Sequence, residues 1–233
     1  MNHRELAVVQ GWPETRATLV AWNRSPLRVA GRWVLLSGAI AVALLAAVAT
    51  AGTLMRVDPT PLALPGVYHP GSMGDVWAIF GRNLLVLALH AMACVAGFIA
   101  KSALPSAERP HGDRWRWIHE RAGSAAIAFV AGATLFSLCT QSFALGSRLS
   151  TLAWQMDVSP VLLLLSLTPH ALPELIAVFL PLAAWLVAAR AQQWGQLLAA
   201  TIATTALALP VVLAAAAVEV FVTPDVLRAL HFV

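Results

Sequence analysis

The chain has 233 residues, of which 59% are hydrophobic and 11% charged, and its formal net charge at pH 7 is +4. Such a chain cannot cover its apolar surface in water, so the composition excludes an ordinary soluble globular protein and predicts an integral membrane protein. Basic cytoplasmic loops account for the positive charge, and we therefore expect no nucleic-acid partner.

Residues 1–32 form a basic cytoplasmic segment ahead of the first long apolar run. Pro13 and Glu14 are typical of a helix start, because proline suits the first turn and a carboxylate favours the positive end of the helix dipole. Trp12 and Trp22, with arginines nearby, indicate an amphipathic helix. This helix either lies on the inner membrane surface or packs against the protein's own bundle.

Residues 33–233 form a single transmembrane domain, and the predicted fold class is an all-α, polytopic membrane helix bundle. Five apolar runs are long enough to cross about 30 Å of hydrocarbon at about 1.5 Å per helical residue. The predicted spans are Val34–Met55, Ile79–Ala100, Ser124–Leu145, Val161–Ala189 and Leu197–Val222. Arginine and lysine gather before the first run and between the second and third, which indicates that these segments are cytoplasmic. An odd number of spans then places the C-terminus outside.

The first span contains small-x-small tripeptides, Ala47–Ala49 and Ala49–Ala51, of the kind that signal peptidase cleaves. Cleavage there would leave four spans. The segment before the run is much longer than the charged region of a signal peptide, which favours a retained span.

The fourth apolar run is longer than one span needs, and Thr168 and Pro169 predict a break within it. Threonine is a good N-cap, proline suits the first helical position, and the residue before a proline is biased away from helix. We therefore expect residues 160–167 to form a short re-entrant or interfacial helix, and the crossing helix to begin at Pro169.

Three ionisable residues, His170, Glu174 and Glu219, fall within apolar runs at a similar depth below the outer surface. Ionisable groups at membrane depth are costly, so they usually face a bundle interior or a cavity and mark function. His170 and Glu174 are four residues apart and share a helix face, while Glu219 lies about one turn from the end of the fifth run. We predict a shared polar cluster that acts as an interhelical hydrogen-bond clamp or as a proton- or substrate-linked gate; a metal site is a weaker alternative.

His90 and the two cysteines, Cys94 and Cys139, also lie inside apolar runs. We interpret His90 as a core histidine bonded to a carbonyl, with a functional role as the alternative. The cysteines are expected to be free thiols. The sequence has no nucleotide-binding or hydrolase motif and no zinc-binding cysteine pattern, so we predict no enzyme, no cofactor and no metal.

Two motifs near the C-terminus are Thr168-Pro169-His170-Ala171-Leu172-Pro173-Glu174 and Val218-Glu219-Val220-Phe221-Val222-Thr223-Pro224. They resemble motifs of the stage II sporulation protein M family. Members of the family carry a Pro-His-Gly-x-x-Glu-Leu block and, later, a small-residue run that ends in Glu and Thr-Pro. Asn83 at the head of the second run is similar to the family's usual Asn, whereas Ala171 departs from its common Gly. The resemblance thus implies supporting roles for Pro169, Pro173, Asn83, Thr223 and Pro224.

The resemblance implies a multi-pass protein of the bacterial inner (cytoplasmic) membrane without established enzymatic activity. We therefore expect a non-catalytic scaffold or assembly subunit that forms a homo-oligomer, binds other membrane proteins, or does both. The first alternative is a permease-like subunit of a transporter that works with a separate ATPase, because helices broken near a substrate path are typical of transporters. The second, weaker alternative is an intramembrane metal-dependent hydrolase.

Overall fold

The computed structural model describes residues 11–62, 66–67, 69–103 and 113–230, with the side chains of 100–131, 133 and 230 outside that description. Regular structure in this part of the chain is helical throughout, which confirms the all-α class. The helices are α1 (Trp12–Trp22), α2 (Pro26–Leu54), α3 (Met73–Ala103), α4 (Asp113–Gln155), α5 (Pro160–Arg190), α6 (Leu197–Phe221) and α7 (Thr223–Leu230). A short 3₁₀ helix, Trp194–Gln196, precedes α6.

Four helical segments in the described part of the chain are long and apolar enough to cross a membrane, and they lie in α2, α3, α5 and α6. Large apolar side chains on their outer surfaces, such as Leu35 and Leu85, are exposed, as expected of surfaces that face lipid. These helices support a multi-pass membrane protein. The remaining predicted span, Ser124–Leu145, lies inside α4, and many of its side chains fall outside the described residues, so this span stays a prediction.

The central element is α5, whose residues 177–185 are all buried. A helix that is apolar on every side is stable only when other helices surround it. α2, α3, α4 and α6 all contact α5, so this helix forms the axis around which the bundle packs.

The predicted break at Pro169, with a re-entrant or interfacial helix before it, is wrong, because α5 runs without interruption from Pro160 to Arg190. A proline removes one backbone hydrogen bond, and neighbouring helices and hydroxyl side chains make this tolerable in a membrane helix. The Thr168 hydroxyl donates back to the Leu164 carbonyl at 2.8 Å instead of capping a new helix. The true cap is Ser159, which precedes another proline and whose side chain accepts a backbone N–H of the first turn.

Side chains from two neighbouring helices donate hydrogen bonds to the backbone of α5. His90 Nδ1 donates to the Val178 carbonyl at 2.9 Å, and Cys94 Sγ donates to the Pro181 carbonyl at 3.1 Å. Ser37 of α2 donates to a further carbonyl of α5. A carbonyl only accepts, so Nδ1 carries the proton of His90. The interpretation of His90 as a core histidine bonded to a carbonyl is therefore confirmed, and both cysteines are free thiols.

The N-terminal helix α1 forms where it was predicted and contacts α6 and the 3₁₀ helix. The prediction that it is amphipathic is wrong, because its apolar side chains do not gather on one face. Thr15 is its buried residue, while Trp12 and Val20 are more than half exposed. Trp22 packs edge-to-face on Trp33 of α2, with ring centroids 5.2 Å apart. Packing against the bundle is thus observed, and placement at the membrane surface stays a prediction.

Candidate functional site

The first three turns of α5, the end of α6 and the start of α7 border a cavity that is lined mainly by apolar side chains. His170, Glu219 and Thr223 all line this cavity, whose volume is about 100 Å³. His170 Nδ1 and Thr223 Oγ1 are 2.9 Å apart, both side chains are buried, and one donates to the other according to the histidine tautomer. The structure thus brings His170 and Glu219 to one cavity, and their depth in the membrane stays a prediction.

Glu174 lies beside this cavity and extends the polar group toward α3. Its carboxylate has Glu219 and Arg82 as charged neighbours, and the side chain of Asn83 is its polar neighbour on α3. Arg82 also attracts Glu219. We call His170, Glu174, Glu219, Thr223, Arg82 and Asn83 the outer polar cluster. Among these residues one guanidinium faces two carboxylates, so a single positive charge stabilises both.

The local sequence explains why Glu219 and Thr223 face the same space. Glu219 lies in the last turn of α6, and Thr223 is the first residue of α7. The chain leaves α6 at Val222 and begins α7 at Thr223, and Pro224 suits the first turn of the new helix because it has no N–H to satisfy. The turn therefore carries Thr223 toward His170.

The loop between α2 and α3, which we call the outer loop after its predicted side of the membrane, covers the cavity, and no role for it was predicted from the sequence. Val67 of this loop lines the cavity. Gly66 has a φ of +79°, and a Cβ on it would lie 2.3 Å from Pro224 Cγ. A Cβ on Gly71 would lie 2.7 Å from Val220 Cγ1. Both positions require glycine because the loop backbone touches the end of α6, and the glycines of a proline-rich loop were the only signal of this contact.

The same loop is fastened to the last turns of α4 by three hydrogen bonds. These are Ser150 Oγ to the Met55 carbonyl (3.3 Å), the Asp58 amide to Thr151 Oγ1 (3.2 Å) and the Leu62 amide to Gln155 Oε1 (3.4 Å). α4 therefore holds the cover of the cavity in place, although it contributes no charged group to the cluster.

The remaining predicted site residues, Pro169 and Pro173, are exposed and do not line the cavity. They lie four residues apart on the outward face of α5 and do not join the cluster. Within the described part of the chain, no three His, Cys, Asp or Glu side chains come close enough to hold a metal ion. His170, Glu174 and Glu219 are all described, so they do not form the ligand set that the metal-site alternative requires.

Comparison of the chain with protein-family models, with curated proteins and with solved structures found no match. The resemblance to the stage II sporulation protein M family therefore rests on the two C-terminal motifs and on Asn83, and it stays a prediction. The structure places the conspicuous residues of those motifs, His170, Glu174, Glu219 and Thr223, in one cluster.

Proposed function

We propose that the protein is a non-catalytic assembly subunit of a multiprotein complex in a bacterial cytoplasmic membrane, as the resemblance to stage II sporulation protein M implies. The observation that carries this proposal is that the polar groups of the cluster bind one another across helices. His170 of α5 hydrogen-bonds Thr223 of α7, and Asn83 of α3 is a polar neighbour of Glu174 of α5. Hydrogen bonds between helices fix their relative positions, so the cluster stabilises one arrangement of the outer surface that a partner would contact.

The size of the cavity supports a structural role for the cluster. Its volume of about 100 Å³ has room for a few water molecules. Pockets that bind organic ligands have volumes of about 300–1,000 Å³. The loop glycines also bring backbone against the end of α6, which closes the outer side. These features favour an interhelical clamp and argue against a passage for an organic substrate.

We further propose five spans, with the N-terminus in the cytoplasm and the C-terminus outside. The bonds from the last turns of α4 to the outer loop support this topology, because they bring the outer end of the predicted third span level with that loop. In spheroplasts, external protease should remove a C-terminal tag and leave an N-terminal tag intact. Loss of both tags or of neither from unbroken spheroplasts would contradict the odd number of spans.

The assembly role is tested by purifying the tagged protein at native expression in a gentle detergent, with mass spectrometry and metal analysis of the same sample. Stoichiometric membrane or wall proteins without an ATPase would support the proposal. A stoichiometric ATPase would favour the permease-like alternative, and a stoichiometric divalent metal would favour the hydrolase.

Variants that change the charge of the cluster provide a second test of its role in assembly. Glu174→Gln or Glu219→Gln alone leaves one carboxylate for Arg82, whereas the double variant leaves the guanidinium without its partner charges. Because Arg82 is exposed, its attraction to each carboxylate contributes about 0–1 kcal/mol. We expect the single variants to retain their partners and the double variant to lose them.

Asp157→Asn is the matched control, because Asp157 is an exposed outer carboxylate that does not line the cavity. It should recover the same partners as the unaltered protein. Normal assembly and normal stability of the double variant would overturn the role given to the cluster.

A further inference from the structure

Three arginines gather at the start of α2. Arg28 and Arg32 lie on neighbouring turns of the helix, and Arg24 lies in the turn two residues before it. All three side chains are exposed. Side chains four residues apart on a helix have Cβ atoms about 5–6 Å apart, so Arg28 and Arg32 share one side of α2. We call the three residues the arginine ladder.

The arginine ladder has no acidic partner in the part of the chain that the structure describes. None of its guanidinium groups forms a hydrogen bond or an ion pair there. Glu14 is the only acidic residue between positions 11 and 57. Its carboxylate lies against the 3₁₀ helix, where a Cβ on Gly195 would be 2.8 Å from Glu14 Oε1. Like charges on neighbouring turns repel each other, so an anion from outside the described residues would stabilise the ladder.

The fold holds the ladder in one geometry. Trp22 at the end of α1 packs edge-to-face on the buried Trp33, with ring centroids 5.2 Å apart. The backbone N–H groups of Arg24 and Arg28 donate to carbonyls three residues before them, which orders the turn between the two helices. Binding an anion here therefore costs less conformational entropy than binding it to a mobile basic tail.

The same side of α2 becomes apolar further along the helix. At about 100° per residue, Leu35 and Val42 lie within about 40° of Arg28. They are 76% and 56% exposed, whereas Trp33 and Ser37 on the opposite side are buried. Arg28 and Val42 are about 21 Å apart along the axis, which matches half the thickness of a bilayer of about 40–45 Å with its headgroups. One face of α2 thus presents a cationic group and then apolar surface over the depth of one leaflet.

We propose that this face of α2 binds an anionic phospholipid, with the phosphate on the arginine ladder and an acyl chain along Leu35 and Val42. Guanidinium groups bind phosphate oxygens through paired N–H donors, and basic clusters just outside a span favour anionic lipids. A phospholipid carries its negative charge and its apolar chain in the same order as this face, whereas an acidic soluble segment would complement the charges alone. The leaflet is the cytoplasmic one in the proposed topology, and the inference does not depend on the assembly role.

Native mass spectrometry of the full-length protein tests the lipid preference. The protein is purified in a gentle detergent and given equal amounts of phosphatidylglycerol and phosphatidylcholine. We expect the unaltered chain to retain phosphatidylglycerol in preference to phosphatidylcholine. Arg28→Gln with Arg32→Gln should lower that preference about twenty-five-fold, since each arginine beside a membrane contributes about fivefold to the binding of an anionic lipid.

Arg190→Gln is the matched control, because Arg190 is an exposed arginine at the end of α5 and lies on the same side of the membrane in the proposed topology. It should leave the preference unchanged. Arg28→Lys with Arg32→Lys keeps both charges and should retain most of the preference. An equal loss in the Arg190 variant would show that overall charge attracts the lipid, and no preference in the unaltered chain would show that no site exists. Either result would overturn the proposal.

Photo-cross-linking locates the lipid on the unaltered chain, so it does not depend on the folding of any variant. Phosphatidylglycerol with a diazirine in its acyl chain is added to phosphatidylcholine vesicles that contain the protein, and labelled peptides are identified by mass spectrometry. We expect the segment with Leu35 and Val42 to be labelled more by this probe than by a diazirine phosphatidylcholine. The exposed Leu85 and Leu89 of α3 should not distinguish the two probes. Equal labelling of α2 by both probes would overturn the site.

An acidic protein is the other occupant that these experiments can reveal. Its stoichiometric recovery with the unaltered chain, and its loss from the variant with Arg28→Gln and Arg32→Gln, would overturn the assignment to a lipid.

Discussion

Replacing Thr223 with valine removes the hydroxyl that binds His170 Nδ1 and changes the shape of the side chain very little. Both residues are buried, and their bond of 2.9 Å connects α7 to α5 across 53 residues of chain. The variant leaves a ring nitrogen of His170 without its protein partner. We therefore expect the free energy of unfolding to fall.

The magnitude follows from the surroundings of the bond. A buried polar group left without a partner costs about 1–3 kcal/mol in soluble proteins, whereas interhelical hydrogen bonds in a membrane protein average about 0.6 and reach about 1.7 kcal/mol. Here the bond borders a cavity of about 100 Å³, so water can reach the orphaned nitrogen and reduce the loss. We expect Thr223→Val to destabilise the protein by about 1 kcal/mol, or about 2–4 °C in Tm for a chain of this size.

The matched control is Thr205→Val in α6. Thr205 Oγ1 is buried and has no hydrogen-bond partner within the described residues, so the same chemical change there should be neutral or stabilising. Thr223→Ser keeps the hydroxyl and should recover most of the lost stability. The assay is thermal or denaturant unfolding of the purified protein in detergent. Equal stability of the two valine variants would refute the role of the His170–Thr223 bond.

Three further predictions concern glycines and thiols. Gly146→Ala should destabilise the protein by about 1–3 kcal/mol, because the added Cβ would lie 2.4 Å from a carbon of α2. Gly132→Ala is the control in the same unfolding assay. Its Cβ would meet open space, so this variant should be neutral or slightly more stable. Gly66→Ala should detach the outer loop, because the positive φ of Gly66 and its contact with α7 both require glycine. External protease should then cleave the loop faster. Unchanged cleavage would contradict the loop contact. N-ethylmaleimide should label the exposed Cys139 in detergent and spare Cys94 until the protein unfolds; equal labelling rates would show that Cys94 is not enclosed.

The depth of the cluster was predictable because helical geometry converts sequence position into depth. Each residue advances a helix by about 1.5 Å, so the ends of the apolar runs placed His170 and Glu219 at a similar level. The structure places both side chains on one cavity. Asn83 was named only through the family resemblance, and its place beside Glu174 brings α3 to the cluster.

The course of α5 was not predictable from local signals. Ser159-Pro160 and Thr168-Pro169 carry the same helix-start signature, and only the first starts a helix. The chain reverses direction just before Ser159, where Asp157 has a φ of +55°, so the helix has to begin there. At Pro169 the surrounding helices hold the backbone in one continuous element, and tertiary packing overrides the local preference.

The sequence by itself determined that this is a multi-pass, all-helical membrane chain, and it determined where its ionisable groups lie along the helices. It could do so because hydrophobic length and helical rise act within a single segment. The tertiary structure decided which side chains meet and that the outer loop covers the cavity. These properties depend on which helices are neighbours and how each is rotated, and the periodicity of one helix contains no information about the next.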